Sequence, residues 1–263
     1  ELEARHNRSL MNANHAVFSL AYALSAIATG FGREAGFSPA TIFTTLAFLV
    51  CLLSLRMRIE PTPFCEAERR LLHLPWAIIL LCGGIVLLAF FVEAVVESWS
   101  ALHIERTLGG RAAEGAFGPA ILGLTMAAGR FSGQAIAGRF QDITIITLGA
   151  AMACIGAMTA AFAGTPPTAY LGFGIMGLGI SVVGPMALAL VGRLVPPAHR
   201  TTAVARVNVI GFAAFVLAPA VMGQVCDAYG LRVAFAVVGV LALIAPLLGL
   251  MLQTRQARYA QSP

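Results

Sequence analysis

Lysine is absent from this 263-residue chain, and charge of either sign is scarce. There are 17 basic residues, all arginine, and 12 acidic ones, together 11% of the chain. Soluble domains carry roughly 25% charged residues. The shortage excludes an ordinary soluble domain, and the absence of lysine reads as compositional bias. Cysteine is sparse and unpatterned: Cys51, Cys65, Cys82, Cys154 and Cys226 include no CxxC and no Cys/His spacing. That excludes the usual zinc frameworks, so the cysteines read as small apolar fillers. HExxH, GxSxG and paired-aspartate motifs are also missing. With so few polar groups in the apolar runs, a membrane-embedded enzyme is disfavoured, and neither catalytic residues, metal nor cofactor is expected. The opening residues, ELEARHNRSL, lack an initiating Met and a signal-peptide pattern. They resemble a cytoplasmic loop, and the expectation is a chain that has lost upstream helices.

What is present is apolar sequence. Hydrophobic residues make up 59% of the chain, and the mean hydropathy is +0.84. One anchor helix does not produce such a value over the whole length. A crossing of a ~30 Å hydrocarbon core takes about 20 apolar residues. The runs predict eight helices: Asn12–Phe31, Pro39–Leu55, Pro75–Glu97, Phe117–Gly138, Ile143–Ala163, Thr168–Leu194, Ala205–Cys226 and Arg232–Leu252. The fold class expected is all-α, a polytopic transmembrane helix bundle. The longest hydrophilic stretch, Arg56–His73, is the natural boundary between two units.

The net charge of +5 would suit a nucleic-acid binder, but the arginines lie between apolar spans rather than on one polar face. The positive-inside rule accounts for them better. If the segment before the first helix faces the cytoplasm, 13 of the 17 arginines fall inside. Arg33, Arg106, Arg111 and Arg232 fall outside. This predicts an even number of spans with both ends of the chain cytoplasmic, and the partners expected are the lipid bilayer and a small solute.

Ionisable groups within apolar spans are costly and mark functional sites. Glu93 and Glu97 stand four apart on one helical face, at the outer end of the third predicted helix. They are candidates for a protonatable or substrate-facing pair. The structural alternative is a solvated interfacial pair beside the anchor Trp99. Asn12, Asn14 and His15 open the first helix, as a pathway-lining polar patch or as a helix cap. Arg130 and Arg139 flank Gly133 and Gly138. They are candidates for a cytoplasmic gate, with Asp142 as a possible partner, or simple positive-inside charge. Asp227 reads as a cap of the eighth helix or a partner of Arg232. Gly129 and Gly133 form a GxxxG step, and Gly172, Gly174, Gly177, Gly179 and Gly184 crowd the sixth helix, a pattern suited to close helix packing.

Four stretches, in this order, resemble the major facilitator superfamily, in the bacterial branch that includes fucose permease-like transporters. They are NANHAVFSLAYALSAI (12–27), FVEAVVESWSALHIERTLG (91–109), GRFSGQAIAGRF (129–140) and GFAAFVLAPAVMGQVCDAYGLR (211–232). The resemblance runs from about Ser9 to Leu252. It implies that the eight helices match the fifth to twelfth of a twelve-helix transporter, lacking the first four. Residues 1–55 would be the last two helices of an N-terminal bundle, 56–73 the cytoplasmic connecting loop, and 74–263 the C-terminal six-helix bundle with its tail. The location implied is the bacterial inner membrane. The activity implied is secondary active transport of a small organic solute by alternating access, with proton coupling. Asn12, His15, Glu93 and Glu97 become pathway candidates, and Arg130, Arg139 and Asp142 gate candidates. Two departures stand out: Gly138 replaces the motif's acidic residue, and Gln141 replaces its closing glycine. The altered motif and the missing helices keep open a second reading, a non-transporting membrane module for assembly or sensing.

Overall fold

A computed structural model describes residues 10–56, 74–136 and 140–260, with side chains from Val17 onward except at 133–136 and 255–260. Its elements are helical throughout the described residues. In chain order they are α1 (Leu10–Glu34), α2 (Pro39–Ser54), α3 (Trp76–Leu102), α4 (Ala112–Ile136), α5 (Asp142–Ala161), α6 (Pro166–Leu194), α7 (Arg200–Phe212), α8 (Ala214–Ala242) and α9 (Ile244–Ala260). Local chemistry sets many of the ends. Ser38 caps α2 by accepting from the Thr41 N–H, with Pro39 at the first helical position. Gly36, between α1 and α2, has φ +86°, a conformation suited to glycine. Pro166 and Pro167 open α6 in the same N-terminal role.

The predicted third helix is longer than its apolar run. α3 passes Glu97 to Leu102 and then continues through a single π-turn, His103–Thr107. The residues Trp99–Thr107 are helix-compatible but polar, so hydropathy falls before the backbone changes. The seventh and eighth predicted helices appear as one hairpin made from α7, α8 and α9. Gly230 interrupts α8 at φ 82°, ψ 168°. Ile210 before it and Leu248 after it both return to neighbouring residues of α3, lying against Gly83 and Gly84. The chain therefore reverses near Gly230.

Small residues set the tightest packing. A Cβ on Gly156 would come within 2.5 Å of the Gly172 carbonyl oxygen, and one on Gly149 within 2.6 Å of that of Gly179. α5 and α6 thus touch backbone to backbone at two levels, the close approach that lipid-embedded helices need. Around this seam lies a core that includes Val92, Leu122, Phe173, Met176, Phe235 and Val238. The periphery is the reverse of a soluble surface. Phe43, Phe48, Val209, Val216 and Leu247 are among many large apolar side chains left exposed. Four described stretches are long and apolar enough to cross a bilayer: Trp76–Thr107, Asp142–Ala161, Pro166–Leu194 and Pro197–Thr254, the last containing the hairpin. No residue of α2 is buried.

Candidate functional site

The extension of α3 moves Glu93 inward. It stands 17 residues after Trp76 and 14 before Thr107 in a 32-residue helical run, near mid-length rather than at the outer end. Arg130 meets it there. Arg130 belongs to the late part of α4, but helical side chains lean toward the N-terminus of their own helix. Its guanidinium therefore reaches back toward the bundle centre. Nη2 lies 3.7 Å from Oε1 of Glu93, with the side chains 24% and 15% exposed. Nη1 donates to Oγ of Ser19 on α1 at 3.4 Å. The Glu93 contact is a charge contact, too long for a hydrogen bond. α1 comes this close because α4 carries Gly123 there. A Cβ on Gly123 would meet the Tyr22 ring at 3.0 Å and the Ser19 carbonyl at 3.2 Å. Three helices therefore bring Ser19, Tyr22, Glu93 and Arg130 together. Glu97 is one turn further along α3, half-buried. Among the described residues, no ion pair or hydrogen bond engages its carboxylate.

The other sequence candidates distribute differently. Of Asn12 and His15 the backbone alone is described; both lie in the first turns of α1, and His15 is four residues before Ser19, on the same helical face. Arg139 and Gly138 lie outside the described residues. Among the described residues Asp142, a possible partner for the two arginines, does not pair with Arg130, whose recorded contacts are Glu93 and Ser19. Asp142 opens α5 and pairs with Arg193, in the last turn of α6. The reason is the antiparallel packing of α5 on α6, which brings the start of one against the end of the other. Arg232 likewise turns from Asp227 to the backbone, donating to the carbonyls of Ala161 at 3.0 Å and Ala163 at 2.7 Å.

At the opposite end from Asp142, ion pairs missed by sequence reasoning tie α1 to the rest of the bundle. Arg33 grips both carboxylate oxygens of Glu105, at 2.7 and 3.0 Å. Arg111 reaches Glu34 at 2.9 Å, and its backbone N–H donates to Glu114 at 2.6 Å. The two hydrogen bonds from Arg33 favour its charged form and hold its guanidinium above its ordinary range. Next to this end, His103 is fully buried in the π-turn. Its Nε2 lies 3.0 Å from the Ala160 carbonyl. A carbonyl only accepts, so Nε2 carries the hydrogen. Nδ1 of His103 and Oγ of Ser100 are buried without a partner among the described residues.

An all-helical bundle, among the described residues, with long apolar helices and a lipid-compatible periphery defines the class: an integral membrane protein. Comparison with known proteins then gives the family. The Major Facilitator Superfamily profile matches residues 84–263, and the chain belongs to that superfamily. An uncharacterised MFS-type transporter of Yersinia pestis is 26% identical over 245 residues, covering 92% of this chain and 63% of the relative. An uncharacterised transporter of Sinorhizobium fredii is 26% identical over 261 residues, covering 94% and 67%. The chain therefore spans about two thirds of the length of these relatives. Among solved structures, a mutant of the peptide transporter POT in complex with sulfate shares the fold at TM-score 0.56. It is 16% identical, over 67% of this chain and 37% of the other.

Proposed function

We propose that this chain forms most of a secondary transporter that moves a small organic solute across the membrane by alternating access, coupled to protons. The observation that carries this reading is the Glu93–Arg130 contact, charged groups 3.7 Å apart and largely shielded inside the apolar bundle where α1, α3 and α4 meet. Ionisable groups are retained in such surroundings where they serve a transport path. In this reading the described helices are eight crossings equivalent to the fifth to twelfth of a twelve-helix fold, in the fucose permease-like branch. Residues 1–55 complete an N-terminal bundle, 56–73 connect, and 74–263 form the second bundle, which rocks against the first. α1 packing on α4 is then a contact between bundles. The exposed faces of α2 accommodate upstream helices, and the third of the relatives' length beyond the match has room for them. The protein sits in a bacterial inner membrane with both ends of this chain cytoplasmic. His15 and Asn12 extend the pathway toward the cytoplasm, and Arg139 with Asp142 borders it.

The test is proton flux in proteoliposomes containing the full gene product. An imposed solute gradient should acidify or alkalinise the lumen, and Glu93→Gln or Glu97→Gln should uncouple proton from solute. Solute flux that is indifferent to pH in the wild type would remove the proton. Absence of any solute flux would sink the transport reading.

A further inference from the structure

Arg130 reaches Glu93 only if α4 keeps one register against its neighbours, and three contacts of one kind hold that register. In each, a hydroxyl side chain of one helix fills the space left by a glycine of another. Ser100 of α3 faces Gly118 of α4, where a Cβ would meet its Oγ at 2.5 Å. Thr125 of α4 faces Gly177 of α6, where a Cβ would overlap Oγ1 and come within 3.0 Å of the Leu122 carbonyl oxygen. One turn on, the roles exchange. Ser181 of α6 faces Gly129 of α4, where a Cβ would overlap Oγ and lie 2.8 Å from the Ser181 Cβ.

These hydroxyls act by size. Thr125 donates within its own helix, to the carbonyls of Ile121 at 2.8 Å and Leu122 at 3.1 Å. Ser181, fully buried, donates to the Leu178 carbonyl of its own helix at 2.6 Å. The Ser100 hydroxyl, without a partner among the described residues, likewise serves as a spacer. Thr125 and Gly129 are four apart, as are Gly177 and Ser181, so each helix presents one hydroxyl and one glycine on the contact face. α4 and α6 run in the same direction there, and the two contacts interlock. A slip of one turn, about 5.4 Å, would set Thr125 against Ser181 in one direction and Gly129 against Gly177 in the other. The first is a clash and the second a void. α6 also meets α3 at this level: Gly184, three residues after Ser181, faces Phe90, three residues before Glu93.

Gly129 directly precedes Arg130. We infer that Ser181 is a positioning residue of the Glu93–Arg130 pair: it seats Gly129 and so fixes where the guanidinium stands. The seat leaves Nη2 at 3.7 Å from the carboxylate, within reach of charge attraction and beyond that of a hydrogen bond. The bearing of this seat on transport rests on the path proposed above. Its effect on the pair does not.

The test reads the coupling between Glu93 and Arg130 in several backgrounds of the full-length protein. Coupling is the non-additivity of the melting temperatures of the parent, Glu93→Gln, Arg130→Gln and the double variant in detergent. Gly129→Ala forces α4 off Ser181, and in that background the coupling should fall by about half or more. Adding Ser181→Gly makes room for the new methyl and should restore it. Gly184→Ala meets only Phe90, at an ordinary 3.6 Å, and should leave the coupling intact. Should Gly129→Ala fail to fold, Ser181→Cys puts a larger atom at the same contact, and the same fall is expected. A contact that merely holds α4 to α6 would lower all four melting temperatures together and leave the coupling as it was. That result overturns the inference, as does a wild type without coupling or a coupling that stays low after Ser181→Gly is added. The readout is independent of flux. Coupling lost and rescued in a protein without solute flux would leave the positioning role and remove the transport reading. Solute flux with a coupling indifferent to Gly129→Ala would do the reverse.

Discussion

Arg33 holds Glu105 by two hydrogen bonds, at 2.7 and 3.0 Å, and so ties the end of α1 to the π-turn that follows α3. With Arg111–Glu34 at 2.9 Å, the tie is double and reciprocal in sign. If α1 belongs to one bundle and α3 to the other, these pairs close that end and must break when it opens. Arg33 is 43% exposed, so the pair contributes at most ~1 kcal/mol after screening.

Glu105→Gln should therefore shift the balance of open and closed states by about fivefold or less, without unfolding the protein. Accessibility of a cysteine at Gly109 to a water-soluble maleimide measures the shift. The charge-exchanged pair Arg33→Glu with Glu105→Arg should restore the wild-type rate. A double exchange as open as the single variant would separate the clasp from gating.

Much of this architecture was legible in the residues. The helical runs followed from apolar stretches broken by Pro, Gly and Arg, and the superfamily from the resemblance of four stretches, 12–27, 91–109, 129–140 and 211–232. Helix ends were less legible, because hydropathy and backbone conformation part company where the helix turns polar. Trp99–Thr107 is the case in point, and it puts Glu93 near the middle of the helical run rather than at its end. Partners across helices were least legible. Asp142 lies three residues from Arg139 but pairs with Arg193, 51 residues away. Ser19 carries no sequence signal until α1 is set against Gly123. Sequence spacing reports neighbours along one helix, whereas these contacts depend on which helices pack and in which direction.

The orientation is tested with single cysteines in a cysteine-free background. Thr165, at the start of α6, and Thr201, in the first turn of α7, are both exposed at opposite ends of one crossing. Thr165→Cys should react with an impermeant maleimide from outside intact cells. Thr201→Cys should react only after permeabilisation. The reverse pattern would invert the topology derived from the arginines.

The α5–α6 seam is tested by volume. Gly156→Ala would force a Cβ to within 2.5 Å of the Gly172 carbonyl oxygen, which is backbone and cannot rotate away. The helices must separate, at about 1–3 kcal/mol. In detergent the variant should melt several degrees lower, as followed by size-exclusion fluorescence. Gly192→Ala on α6 meets nothing within 4 Å. It should hold or raise stability, by up to ~1 kcal/mol from helix propensity. Equal melting of the two variants would show that the seam is not closely packed.

Asp142 separates a structural role from a gating one. Its partner Arg193 is 56% exposed, so the pair adds ~0–1 kcal/mol to the α5–α6 contact. Asp142→Asn should leave the melting temperature nearly unchanged. If Asp142 also borders the cytoplasmic opening with Arg139, the same variant should slow transport several-fold. A variant with unaltered transport would leave Asp142 with only its Arg193 contact.

The central pair supplies the sharpest double-mutant cycle. Arg130→Gln leaves the Glu93 carboxyl inside the bundle without its counter-charge, and breaking a buried pair from one side costs up to about 3–5 kcal/mol. Glu93→Gln strands Arg130 instead, with the Ser19 hydroxyl as its recorded acceptor at 3.4 Å. Replacing both removes both charges, and two amides of similar volume can bond to each other, so the double variant should regain most of the lost stability. Transport should not return with it, because neither the carboxylate nor the guanidinium of the pair remains beside the proposed path. Stability and flux therefore part in the double variant if the pair serves a pathway, and they recover together if it serves only to hold α3 against α4. Melting in detergent and solute flux in proteoliposomes, measured on the same four proteins, decide between the two.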